Sequence, residues 1–110
     1  MATHEDAMLV MEIMRWAQET GATDTTHRLM REHRLGGDPP STDDPDVVQV
    51  LVLHETVGTF VKQGVLDAGL VHDLMAVDWV WSVVGPGAIA MREEMGEPRL
   101  WENFEALATG

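Results

Sequence analysis

The chain has 110 residues, enough for one domain with its own core, and 45% of them are apolar, which excludes general disorder. There is no cysteine, so a disulfide framework and a thiolate zinc site are both excluded. Nineteen Asp and Glu against seven Lys and Arg give a net charge of −12, and such a surface repels phosphate backbones, so we expect no direct binding to nucleic acid.

Residues 1–37 are predicted to form an N-terminal helical hairpin. Thr3 can cap a first, Met-rich helix over about 4–19, and Gly21 is a plausible stop. A second helix over about 24–35, capped by Thr23 or Asp24, would end at Gly36-Gly37. The N-terminus is acidic where a signal peptide needs basic residues, which predicts a cytoplasmic location.

A central helix over about 45–63 is the strongest prediction in the chain. It follows an exposed linker at 38–45, where Asp44 supplies a cap and Pro45 the first helical position. The Val-rich run 47–53 would also suit a strand, but its length of about four turns and its two end signals favour a helix. Because this helix is apolar on nearly all sides, we expect other helices to surround it.

The remaining punctuation predicts the end of the fold. Asp67 can cap a fourth helix over about 67–83, although 80–84 alone would also suit a strand. The segment Gly85-Pro86-Gly87 should break or kink the helical path before short helices at about 87–95 and 98–108. The prediction is a single all-α domain, a compact bundle of about five helices around the central one, with 46–110 as its core. No window is long and apolar enough for a membrane span.

The second half resembles an uncharacterised family of bacterial helical domains. The resemblance covers about 46–108 and rests on the phrase E-x-x-G-x-x-V-x-x-G-x-x-D from Glu55 to Asp67, a Trp at 79 or 81, Arg92, and N-F-E-x-L-A from Asn103 to Ala108. It implies an all-helical fold and brings no activity or catalytic residue with it.

Two residues of this pattern predict a structural ion pair. Glu55 lies in the middle of the apolar central helix, where an unpaired carboxylate costs several kcal/mol. Arg92 follows the expected break, and its planar guanidinium suits a carboxylate. We therefore expect a buried or half-buried pair between them.

Catalytic signals are weak, and an enzyme is the less favoured interpretation. No serine lies in a nucleophile elbow and no phosphate-binding loop is present. His54, His72 and Asp73 could assemble a metal site only across helices, because adjacent residues diverge on a helix. A metal-dependent hydrolase using them is thus a minor alternative, and no cofactor is predicted.

The favoured function is contact with another protein, including a second copy of the chain. Trp79 and Trp81 should diverge on their helix, with one of them exposed as a possible anchor. An alternative is a phage-type acidic inhibitor that imitates nucleic acid toward a basic partner. Its negative surface would consist of Glu93, Glu94, Glu97, Glu102 and Glu105.

Overall fold

Helices make up all the regular structure in the part of the chain that is described. The computed structural model describes residues 1–33, 40–41 and 43–110, which contain six helices and no strand. The helices are α1 (His4–Thr20), α2 (Ala22–Glu32), α3 (Pro45–Lys62), α4 (Ala68–Leu74), α5 (Val77–Met95) and α6 (Glu102–Thr109). The predicted all-α fold is confirmed. The predicted second-helix end at Gly36-Gly37 and part of the 38–45 linker lie outside the described residues.

Three predicted helix starts are formed by the expected caps. Thr3 and Asp6 form a reciprocal capping box at α1. Asp44 accepts a hydrogen bond from the backbone N–H of Asp46 at α3, and Asp67 accepts one from Leu70 at α4. These short polar side chains satisfy N–H groups that have no partner inside the helix.

The start of α2 differs from the prediction. Neither Thr23 nor Asp24 caps it, because the helix already begins at Ala22, directly after Gly21. Gly21 has φ of 84°, a left-handed conformation that suits glycine, and it both ends α1 and starts α2. One residue therefore makes the whole corner of the hairpin.

The predicted break at Gly85-Pro86-Gly87 is wrong. The chain instead turns after Leu74, where α4 and α5 meet at 88°, and α5 continues through Pro86. Pro86 lies on the exposed face of α5. Proline has no backbone N–H, so the carbonyl one turn earlier loses its helical hydrogen bond, and on this face it is close to solvent. Gly85 is buried, and a Cβ there would lie 2.8 Å from the Trp81 ring, so this glycine makes room for an indole.

The central helix α3 is enclosed as predicted. It packs against α2, α5 and α6, and it buries residues on several sides, among them Val47, Val50, Leu51, Leu53, His54 and Val57. A helix with apolar residues around its circumference satisfies them only when neighbours cover more than one face. The predicted position of this helix at the centre of the fold is therefore confirmed.

Gly58 lets α6 approach the backbone of α3. A Cβ at this position would lie 2.4 Å from the carbonyl oxygen of Asn103 and 2.9 Å from the backbone nitrogen of Phe104. Those atoms belong to the backbone and cannot rotate away. The glycine therefore fixes how closely the two helices pack.

In the described part of the chain, no single helix is long and apolar enough to cross a membrane. The α4–α5 pair passes the same test of length and composition only when its two bent arms are counted together.

We predict that Gly58→Ala destabilises the protein by about 2 kcal/mol, since the new methyl group must push two backbones apart. The sign is diagnostic, because the same change at an open helical site stabilises by about 1 kcal/mol through helix propensity. Urea unfolding of both proteins measures the difference. A variant as stable as the wild type, or more stable, would show that α3 and α6 do not meet at this glycine.

Candidate functional site

Glu55 caps a helix other than its own. Its Oε1 accepts a hydrogen bond of 2.9 Å from the backbone N–H of Phe104, in the first turn of α6. That helix has no side-chain cap, since its N-cap residue is Trp101 in a left-handed conformation with φ of 62°. A carboxylate from α3 therefore satisfies a free N–H at the positive end of α6.

Arg92 also binds the start of α6, and this corrects the predicted ion pair. Its Nε donates to the carbonyl of Leu100 at 2.6 Å, and its Nη1 lies 3.0 Å from a carboxylate oxygen of Glu105. The predicted Glu55–Arg92 pair is not formed. The reason is electrostatic: the helix start offers N–H groups to the acid, whereas the preceding carbonyl and Glu105 offer oxygens to the base.

The segment 100–105 leaves two buried donors without a partner. Nη2 of Arg92 and Nε1 of Trp101 have no hydrogen bond within the described structure. The α6 start is thus held by several strong bonds but is not fully satisfied by protein groups.

His54 holds the same residue of α6 from the side. Its ring stacks on Phe104 with centroids 4.9 Å apart and planes 25° apart. The side chain is 3% exposed, and burial lowers the pKa of His54 to about 4, so the imidazole is neutral at neutral pH. Its Nδ1 lies 2.8 Å from the carbonyl oxygen of Val50, which can only accept, so Nδ1 carries the proton.

Asn103 completes the contact between the two helices. Its Nδ2 donates to Oγ1 of Thr59 at 3.0 Å, and that hydroxyl donates in turn to the backbone carbonyl of Glu55. The two halves of the family-like pattern, one on α3 and one on α6, therefore meet as a single structural unit.

The two tryptophans diverge as expected. Trp79 is 53% exposed, whereas Trp81 packs inward and meets Phe104 edge to face, with centroids 4.9 Å apart and planes 75° apart. Of the two, Trp79 is the one available to a partner.

The predicted acidic surface is partly neutralised. Glu93, Glu94 and Glu97 are exposed, but Glu102 pairs with Arg99 at 2.9 Å and with Lys62 at 3.9 Å. The hydrogen bond from Arg99 lowers the pKa of the Glu102 carboxyl. Glu105 is the carboxylate that binds Arg92. The five acids thus do not present a uniform negative stripe.

The weak metal candidates do not come together. Among the described residues, no group of three His, Asp or Glu side chains is arranged to hold a metal ion. His72 lies 3.4 Å from Asp78, Asp73 is exposed, and His54 is buried against Phe104. The geometry gives no support to metal-assisted hydrolysis.

A cavity of about 840 Å³ lies between α1, α2, α3 and the α4–α5 corner. Its walls are mainly apolar, and the described residues that line it include Ile13, Ala17, Met30, Leu53, His54 and Val80. The exposed Met14, Leu74 and Trp79 also border it. This volume falls within the range of sites that hold small molecules.

Arg31 also borders the cavity, and sequence reasoning missed it. A signal was available, because Arg31 has no acid three or four residues away, whereas Arg28 has Glu32 at i+4. The cavity itself leaves no local pattern, since it is formed by residues from four parts of the chain.

Comparison with known proteins identifies one family. The family model described as domain of unknown function DUF4760 matches residues 1–110, so the relationship extends over the whole chain and not only over 46–108. No curated protein and no solved structure matches it.

We predict that Glu55→Ala lowers the free energy of unfolding by about 2 kcal/mol, because a bond from a charged acceptor to the start of α6 is lost. Glu55→Gln should cost less, since an amide oxygen can still accept the Phe104 N–H. Thr56→Ala is the control, because its hydroxyl bonds only within α3, to Val52. Denaturant titration compares the three, and equal stabilities for Glu55→Ala and Thr56→Ala would contradict the cap.

The buried imidazole predicts a loss of stability at mildly acid pH. The folded state holds His54 with a pKa of about 4, whereas the unfolded chain protonates it near the ordinary value of about 6.5. Its contribution is therefore complete above pH ~6.5 and is lost as the pH falls toward 4. At pH 5 the loss should reach about 2 kcal/mol relative to pH 7.5.

The pH dependence is isolated by comparing the wild type with His54→Phe, which keeps a ring against Phe104. Both proteins share all carboxylates, so the difference between their unfolding curves at pH 7.5 and pH 5 reports His54 alone. Identical pH dependence of the two proteins would show that this imidazole titrates normally.

Proposed function

Since the chain belongs to the DUF4760 family, whose description assigns no activity, we propose from the structure that it is a non-enzymatic binding domain that works by contact with protein, in the first place a second copy of itself. The observation that supports this proposal is the outer face of α1. Part of the apolar surface of α1 remains exposed in the monomer.

Only one face of α1 contributes to the core. Val10, Ile13 and Ala17 are buried, whereas Met8 is 60% exposed and Met11 is 63% exposed. Two large apolar side chains one turn apart on a solvent-facing surface are typical of a contact site. Methionine suits such a site because its flexible thioether adapts to the surface it meets.

The charges on this face favour a second copy over an unrelated partner. Met11 and Glu12 are adjacent, and Met8 and Arg15 each lie three or four residues from both of them, so all four share one side of α1. Glu12 and Arg15 lie 3.4 Å apart, so these two charges cancel each other beside the methionines, in a chain of net charge −12. In a twofold pair, the acid of one copy can meet the base of the other, which satisfies the reciprocity of such an interface.

The acidic-inhibitor alternative has less support. Its proposed surface includes Glu102 and Glu105, and both are bound to bases within the chain. A partner would have to displace those bases before reading the full set of negative charges. The apolar face of α1 requires no such rearrangement.

We predict that the protein is a dimer at tens of micromolar and that Met8→Gln combined with Met11→Gln makes it a monomer, since the apolar contact is lost. Sedimentation velocity over a hundredfold range of concentration measures this. Met95→Gln is the matched control, because Met95 is 67% exposed at the far end of α5 and lies outside this face. A wild-type monomer throughout the range, or a dimer that survives the double change, would contradict self-association through α1.

A further inference from the structure

The cavity between α1, α2, α3 and the α4–α5 corner has a charge pattern that differs from the rest of the molecule. The chain has 19 Asp and Glu in 110 residues, yet none of the described residues that line the cavity is acidic. The charged and titratable groups in its wall are Arg31, His27 and His54. A small anion can therefore enter without meeting a carboxylate in that wall.

Arg31 has no carboxylate partner among the described residues. Five other bases each pair with a carboxylate of the chain: Arg15, Arg28, Lys62, Arg92 and Arg99. Arg31 forms no such pair with any described residue, although the chain has a large excess of acids. An exposed guanidinium at the border of an apolar cavity is suited to bind the carboxylate of a ligand.

His54 supplies the second polar feature. Its Nδ1 is bound to the carbonyl of Val50, and its ring is stacked on Phe104. The opposite ring nitrogen, Nε2, carries a lone pair in this neutral tautomer and accepts no hydrogen bond from the described residues. His54 lines the cavity and is 3% exposed, so Nε2 is the polar atom that it can offer to a bound molecule.

We propose that the cavity binds a small amphipathic carboxylate that carries a hydroxyl group on its apolar body. The carboxylate pairs with Arg31 at the border, the apolar body replaces water along Ala17, Leu53 and Val80, and the hydroxyl donates to Nε2 of His54. A buried acceptor is satisfied only by a donor, and this decides for a hydroxyl over a second carboxylate at that end.

The inference does not depend on the dimer. Met8 and Met11 are not among the described residues that line the cavity. A monomeric variant carrying Met8→Gln and Met11→Gln should therefore bind the ligand like the wild type, and the two proposals can fail separately.

Three probes of equal chain length separate the contributions: 10-hydroxydecanoate, decanoate and decan-1-ol. Titration calorimetry at submicellar concentration should give one site per chain. We expect 10-hydroxydecanoate to bind most tightly, with decanoate several-fold weaker for lack of the donor. Decan-1-ol should bind about fivefold more weakly than 10-hydroxydecanoate for lack of the charge.

Arg31→Gln should weaken both acids about fivefold and leave decan-1-ol unchanged, because only the ion pair is lost. Arg99→Gln removes the same charge from the surface beside the start of α6, outside the cavity, and should change none of the three. Arg31→Lys keeps the charge and should retain most of the affinity.

His54→Phe should reverse the order of the two acids, since the hydroxyl is then buried without an acceptor. A measurement that needs no variant is the ¹⁵N resonance of Nε2 in histidine-labelled protein. It should move on addition of 10-hydroxydecanoate and not on addition of decanoate.

Four results would overturn the proposal. These are no 1:1 binding of 10-hydroxydecanoate, equal losses in Arg31→Gln and Arg99→Gln, decan-1-ol binding as tightly as the acids, and an Nε2 resonance that 10-hydroxydecanoate leaves in place.

Discussion

The contact between α3 and the first turn of α6 fixes how these two helices pack against each other. A helix that starts with a left-handed tryptophan has no cap of its own, and Glu55 provides one from across the interface. Gly58 allows the backbones to meet, and His54 packs against the side chain whose N–H is capped. One turn of α3 thus positions α6 by charge, by close approach and by stacking. The half-buried acid is stable there because a helix start replaces the water that it has lost.

The same turn of α3 has two sides with different roles. Glu55, Gly58 and Thr59 face α6. There Glu55 accepts a hydrogen bond from Phe104 and Thr59 accepts one from Asn103. His54 reaches both regions, because its ring covers Phe104 while it also borders the cavity. His54 therefore supports the core and also borders the proposed binding site.

Sequence reasoning succeeded where the decisive interaction was local. The caps at Thr3, Asp44 and Asp67 lie within three residues of the N–H groups that they satisfy, so a pattern could reveal them. It also selected Glu55 and Arg92 as structurally important, but it paired them with each other. The true partner of Glu55 is the backbone N–H of Phe104, and those of Arg92 are the backbone carbonyl of Leu100 and the Glu105 carboxylate. A backbone partner leaves no sign in the sequence.

The remaining errors concern tertiary context. Gly85-Pro86-Gly87 has the composition of a break, yet Pro86 faces solvent and Gly85 accommodates Trp81, so α5 continues. Whether such a segment breaks a helix or lets it continue depends on what packs against the glycines, and the sequence alone does not show this. The cavity is similar, since its walls come from helices far apart in the chain.

The corner between α4 and α5 forms part of the wall of the cavity. Leu74 ends one arm, Trp79 and Val80 begin the other, and all three border the same cavity. The arms meet at 88° through only Met75 and Ala76, so these two residues set the angle between two walls of the cavity. A larger or smaller residue at either of these two positions is therefore expected to change the width of the cavity.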